Sequence, residues 1–147
     1  MVEIKNFIEL KNEELYQILR LRSEVFVLEQ QCIYQDIDNK DQKGLHLFYK
    51  EDNKIIAYTR IFYPGDYYAN TSIGRVLVCK KMRGKKLGKK IMEDSISFIK
   101  ENIKSKRIEL SAQKYLDKFY KELGFYVEGE EYLEDGIPHQ RMFLELI

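Results

Sequence analysis

"RVLVCKKMRGKKLGKKIM", from Arg75 to Met92, opens as the apolar run of a buried strand and closes with the spacing of a helix. Between the two, Lys80, Lys81, Arg83, Lys85, Lys86, Lys89 and Lys90 crowd around Gly84 and Gly88. A helix start offers unpaired backbone N–H groups and the positive end of the helix dipole, and both favour an anion. Successive loop amides form a concave nest for phosphate oxygens, and glycine lets a ligand approach the backbone. Arg83 can grip phosphate with two N–H groups while the lysines supply point charges. The turn therefore reads as a seat for phosphate or diphosphate between Arg83 and Lys89. It is neither G-x-x-x-x-G-K-[ST] nor G-x-G-x-x-G, so the residues alone stop at a phosphate-containing ligand. A solvated helix end, RNA or an anionic membrane would use the same charges, but no aromatic stacking platform is interleaved with them.

Working outward, Phe7 to Leu10 suits a short first strand. Asn12 is a candidate N-cap for a helix reaching about Glu29, with Leu15, Ile18, Leu19, Arg22 and Phe26 at helical spacing. "QQCIYQDIDNKDQKG" breaks the period and reads as a loop. "LHLFYK" and "IIAYTRIFY" predict a hairpin, and "TSIGRVLVC" the strand before the basic turn. A helix is expected from about Gly84 to Ile103, then the strand "RIELSA", the short helix "YLDKFYKEL", a strand or bent segment "FYVEGEEYLE", and a closing strand "HQRMFLEL". Strands and helices alternate only in the second half, which favours a mixed α/β sheet over a doubly wound parallel one. "VLV" and "RIELSA" flank the long helix and should be parallel neighbours joined by a right-handed crossover.

The 147 residues fit one domain, and net charge is +1, from 25 basic and 24 acidic residues. That balance disfavours a general nucleic-acid binder, because the positive charge is local. Cys32 and Cys79 have no metal-ligand spacing, so no metal is expected, and two isolated thiols suit a reducing, cytoplasmic setting. No signal peptide or membrane-length apolar run is visible.

At Arg83-Gly84-Lys85-Lys86-Leu87-Gly88 the chain resembles the R/Q-x-x-G-x-G/A signature of the Gcn5-related N-acetyltransferases (GNAT), with Lys86 where the first signature glycine is usual. "LSAQKYLDKFYKELGF" resembles that family's later strand and helix, ending in Tyr120-x-x-x-Gly124-Phe125, with Gln113 where many members carry asparagine. "LRSEVFVLEQQCIYQDID", "LSAQKYL" and "EEYLEDGIPHQRM" are similar to its ElaA-like branch, so the likeness runs from about Leu19 to Met142.

This resemblance implies one N-acetyltransferase (GNAT) domain over residues 1–147, with a mixed, mostly antiparallel central sheet whose parallel strands splay and are flanked by helices. It implies a cytoplasmic acyltransferase that moves an acetyl group from acetyl-CoA to a primary amine by direct attack. The pantetheine arm would pair with Val76, Leu77 and Val78, and the diphosphate would sit on Arg83, Gly84, Lys85, Lys86, Leu87, Gly88 and Lys89. Gln113 and Phe119 would complete the cofactor contacts, a backbone N–H near Val78 would serve the oxyanion, and Tyr120 would protonate the leaving thiolate.

Glu29, where the first helix runs into the loop, is the candidate base; a solvated helix-end glutamate reads equally well. Asp36, Asp38 and Asp41 could attract a cationic amine, although an acidic loop is ordinarily just hydrated. His46 and His139 could shuttle protons, but a lone strand histidine is more often a hydrogen-bonded structural residue. Cys32 lacks support as a nucleophile, and Cys79 reads as a small apolar filler. The acceptor would be a small-molecule or peptide amine, with no nucleic-acid or membrane partner and a homodimer left open. The rival readings are a non-catalytic acyl-CoA-binding regulatory module and a lysine-driven nucleic-acid binder.

Overall fold

Eight strands join in one sheet in a computed structural model that describes residues 2–146. In chain order the elements are β1 (Val2–Asn6), α1 (Asn12–Arg22), β2 (Leu45–Glu51), β3 (Lys54–Phe62), β4 (Thr71–Val78), α2 (Leu87–Asn102), β5 (Arg107–Gln113), α3 (Asp117–Glu122), β6 (Tyr126–Val127), β7 (Tyr132–Glu134) and β8 (Ile137–Glu145). The strand order is β1-β2-β3-β4-β5-β8-β6, and β7 also pairs with β8. Every pairing is antiparallel except β4 with β5. This is the mixed, mostly antiparallel sheet expected from the element order. No helix among the described residues is long and apolar enough to cross a membrane.

The period-2 alternation of the strands sends their side chains to two cores. Leu47, Ala57, Ile61, Ile73 and Ile108 meet Ile91, Met92, Ile96 and Ile99 of α2 on one face. Phe48, Tyr58 and Leu77 meet Ile18 and Leu21 of α1 on the other. Each helix thus covers the sheet with its apolar stripe.

Three local expectations are corrected. The first strand is Val2–Asn6, and Phe7–Glu9 form a 3₁₀ turn instead. Asn6 accepts the Glu9 N–H at 3.1 Å while Glu9 accepts the Asn6 N–H at 2.9 Å, a reciprocal cap that bends the chain out of the sheet. Lys11, not Asn12, precedes α1, and its N–H is capped by Glu14 Oε1 at 2.8 Å. "FYVEGEEYLE" is two short strands, parted where Gly129 takes φ +92°.

Helical turns continue past α1 as a wide π-type segment, Ser23–Glu29. The aspartates of the acidic loop that follows turn inward instead of facing solvent, Asp36 and Asp41 buried and Asp38 partly so. Arg22 is fully buried, with Nε 2.8 Å from Asp36 Oδ2 and Nη1 2.6 Å from Asp41 Oδ1. Arg60 Nη1 reaches Asp41 Oδ1 at 2.8 Å, and Nη2 reaches Asp38 Oδ2 at 2.8 Å. His46 is wholly buried beside them, its ring nitrogens taken by Tyr58 Oη at 2.6 Å and the Asp41 carbonyl at 3.0 Å. Two buried guanidinium groups require anionic partners, and three aspartates brought back by the loop supply them. The acidic residues therefore staple the loop to the sheet.

Candidate active site

The site begins where β4 leaves its neighbour. β4 and β5 are in register only at Thr71↔Ile108 and Ser72↔Glu109. From Ile73 onward the two strands part. On the other edge of β4, Leu77 pairs with Tyr58 and Gly74 with Arg60, so β4 carries one residue more than β3 over this interval. The extra residue is a bulge, marked by Arg75 at φ +52°, and it turns β4 away from β5. Arg75 is held there, with Nε 2.8 Å from Asp36 Oδ1 and its guanidinium over Phe26 and Tyr34.

The gap is a cavity of about 860 Å³. Val76, Leu77 and Val78 form one wall, and Leu110, Ser111 and Gln113 of β5 form the other. Cys79 N–H donates to the Ile56 carbonyl at 2.8 Å. By the alternation of an antiparallel ladder, the N–H and C=O of Val78 then turn away from β3, into the gap. The carbonyl accepts from Arg83 Nε at 3.1 Å.

At the end of β4 the chain makes a short 3₁₀ turn, Lys80–Met82, and then the basic loop. α2 starts at Leu87, three residues later than expected, because Gly84 at φ +81° and Lys86 at φ +60° are left-handed. The first bond into the helix runs from Lys90 N–H to the Lys86 carbonyl at 3.1 Å. Among the described residues, the amides of 84–89 donate to no protein group. A continuous row of free donors beside the cavity mouth suits the diphosphate of a nucleotide-tailed thiol. The side chain at position 86 does not prevent the nest from forming.

Arg83 does not point its fork at open solvent. Nη1 donates to Glu29 Oε2 at 2.8 Å and Nη2 to Oε1 at 2.9 Å. Those hydrogen bonds hold the Glu29 carboxyl below the usual carboxylate range. With both oxygens occupied, Glu29 is committed to Arg83 in this arrangement.

Tyr120 comes from α3, which begins just past the end of β5. It is 7% exposed and packs edge-on against Phe119 and Phe125. Burial pushes its phenol up to about 12, so the hydroxyl keeps its proton at neutral pH. The hydroxyl has no protein hydrogen-bond partner among the described residues, and the residue lines the cavity. Gln113 Nε2 reaches Gln30 Oε1 across the cavity at 3.2 Å. Phe119 lies against Gly88, where an added Cβ would meet its ring at 3.8 Å.

Of the catalytic and cofactor-binding residues named from the sequence, all line this one cavity except Lys85, whose Nζ lies 4.0 Å from Met82 Sδ; Asp36, Asp38, Asp41, His46 and Cys79 lie outside its lining. Sequence reasoning missed Tyr34, Glu134 and Asp135, which line its other end. They lie in loops and a three-residue strand, where no periodicity points to a shared wall. His139, hydrogen-bonded to the Ile137 carbonyl, also faces this cavity, whereas His46 sits in the buried arginine network. Among the described residues no cluster of His, Cys, Asp and Glu is arranged to hold a metal.

The family model described as an acetyltransferase (GNAT) domain matches residues 8–146. The chain is 40% identical to the protein ElaA of Escherichia coli strain K12 over 141 residues, covering 95% of this chain and 92% of that protein. A crystal structure of an acyl-CoA N-acyltransferase from Pseudomonas aeruginosa is similar at TM-score 0.89 and 36% identity, over 98% of this chain and 99% of that one. The crystal structure of Escherichia coli ElaA is similar at TM-score 0.89 and 35% identity, over 99% of both chains.

Proposed function

The chain belongs to the GNAT acetyltransferases, and from that premise we propose that it moves an acetyl group from acetyl-CoA to a primary amine by direct attack on the thioester. One observation carries the reading: a splayed strand edge, Val76 to Val78, runs straight into a row of unpaired amides at residues 84–89. A peptide-like arm ending in a diphosphate needs that sequence of groups in that order. The strand edge would take the arm's amides as an added strand would, and the nest would take the phosphate oxygens.

The residues divide the chemistry. The Val78 N–H, turned into the gap, would stabilise negative charge developing on the carbonyl oxygen. Tyr120 would give its proton to the departing sulfur, a role suited to a phenol that burial keeps neutral. Glu29 would act as a base only after Arg83 turns to the diphosphate. The acetyl donor supplies the activated thioester; the protein supplies alignment, the oxyanion donor and the proton.

The test is thiol release from acetyl-CoA in the presence of a panel of amines. Amine-dependent release, with CoA raising the melting temperature, is the expected result. Stabilisation by CoA without release from any amine would favour a binding module. Stabilisation by RNA and not by CoA would overturn the reading altogether.

A further inference from the structure

We infer that His139 Nε2 takes the proton from the acceptor's ammonium, an inference that rests on the acetyl-transfer reading above. His139 lies in β8 opposite Gln113 of β5, is 6% exposed and lines the cavity. Its Nδ1 is 2.7 Å from the Ile137 carbonyl oxygen. A carbonyl can only accept, so Nδ1 carries the hydrogen, and the neutral ring must present its lone pair at Nε2. Nε2 in turn lies 3.5 Å from Glu134 Oε2. A carboxylate facing a lone pair gains nothing from the neutral ring and pairs with the ring once Nε2 is protonated. The imidazole is thus set to receive a proton.

Its surroundings hold that orientation. The Tyr132 ring stacks on the imidazole at 6.1 Å between centroids. Tyr132 Oη lies 2.5 Å from Ser111 Oγ, and Ser111 Oγ donates to Glu134 Oε1 at 3.2 Å. Two other groups are less suited. Glu29 has both oxygens occupied by Arg83 and is freed only where Arg83 turns to the diphosphate, whereas Nε2 of His139 needs no such rearrangement. His46 has both nitrogens occupied inside the protein, 2.6 Å from Tyr58 Oη and 3.0 Å from the Asp41 carbonyl.

The protons balance. The ammonium gives one proton to His139 Nε2, which frees the nitrogen lone pair. That pair forms the N–C bond as the C–S bond breaks, and the sulfur leaves with the proton of the Tyr120 hydroxyl. The second nitrogen proton restores the Tyr120 hydroxyl. The proton on Nε2 departs to solvent past Glu134, whose side chain is 46% exposed.

Two measurements test this. Nitrogen NMR of the imidazole in the intact protein, recorded at a pH high enough that the ring is neutral, should find its one ring N–H on Nδ1; a neutral ring with hydrogen on Nε2 overturns the inference whatever the activity. Thiol release is then followed with spermidine, glucosamine and a lysine-containing peptide. His139→Gln should bind CoA as the wild type does and lose about 100-fold or more in kcat/KM. Glu134→Gln, a change at a half-exposed carboxylate that leaves the core alone, should lower kcat about tenfold with KM for acetyl-CoA unchanged. Wild-type rates in a His139→Gln protein that binds CoA, or in Glu134→Gln should the first variant not fold, overturn the inference and leave acetyl transfer standing. A wild type that binds CoA but releases no thiol with any amine overturns acetyl transfer itself, and with it the role of His139.

Discussion

Arg83 and Glu29 meet fork to fork, 54 residues apart in sequence, with N–O distances of 2.8 and 2.9 Å. The contact joins the end of the first helical run to the loop that holds the nest, and Arg83 Nε ties the same loop to the Val78 carbonyl. Both side chains are about one-third or more exposed, at 41% and 32%, so the pair contributes about 1 kcal/mol or less to stability. Glu29→Gln should therefore leave the melting temperature almost unchanged. By freeing the Arg83 fork it should tighten CoA binding several-fold in calorimetry. A loss of CoA affinity would show that Glu29 positions the loop instead of competing for Arg83.

Tyr120→Phe removes one oxygen from a buried ring and keeps its packing against Phe119 and Phe125. CoA should stabilise this variant as it does the wild type, while kcat falls about 100-fold or more. Unchanged kcat would remove Tyr120 from the proton path.

Lys86 carries a side chain at φ +60°, which costs about 1–2 kcal/mol relative to right-handed backbone. Glycine removes that cost and adds chain entropy to the unfolded state. Lys86→Gly should hold or slightly raise the melting temperature, whereas the β-branched Lys86→Val should lower it. Equal melting temperatures for the two variants would contradict the left-handed assignment.

Asp41 accepts from both Arg22 and Arg60 in the buried network. Asp41→Asn leaves part of that cationic charge uncompensated, and should destabilise the protein by about 3 kcal/mol in urea unfolding. A change below 1 kcal/mol would mean that water replaces the carboxylate.

Acid should act through Glu14, which is 1% exposed. Burial alone would raise its carboxyl, but hydrogen bonds from Lys50 Nζ, Lys11 N–H and Lys5 Nζ outweigh that and bring it down to about 2. A carboxyl depressed from about 4.5 to about 2 contributes about 3 kcal/mol that is present above pH 4.5 and lost as pH falls towards 2. Glu14→Gln should lose that stability at pH 7 and unfold with a shallower acid dependence between pH 4.5 and 2. An unaltered acid profile would contradict the assignment.

Much of this was legible in the chain. The apolar run of β4, the helical spacing from Leu87 and the basic turn with Gly84 and Gly88 mark a strand, a nest and a helix without any partner in view. The β4 bulge was not legible, because Arg75 is an ordinary residue in a strand-like run and only the mismatch with β3 reveals it. The aspartate loop misled for a related reason. Asp36, Asp38 and Asp41 look solvated until Arg22 and Arg60 are seen buried against them, a pairing that spans 14 to 22 residues. The tautomer of His139 is equally hidden, because it depends on which ring nitrogen faces the Ile137 carbonyl. Spacing carries no such information.

A crystal structure with CoA tests the central proposal most directly. The diphosphate should lie within hydrogen-bonding distance of the amides of residues 84–89, with the pantetheine arm along Val76 to Val78 and the sulfur facing Tyr120. CoA bound outside the gap between β4 and β5, or those amides turned onto protein acceptors in the complex, would contradict acyl transfer at this site.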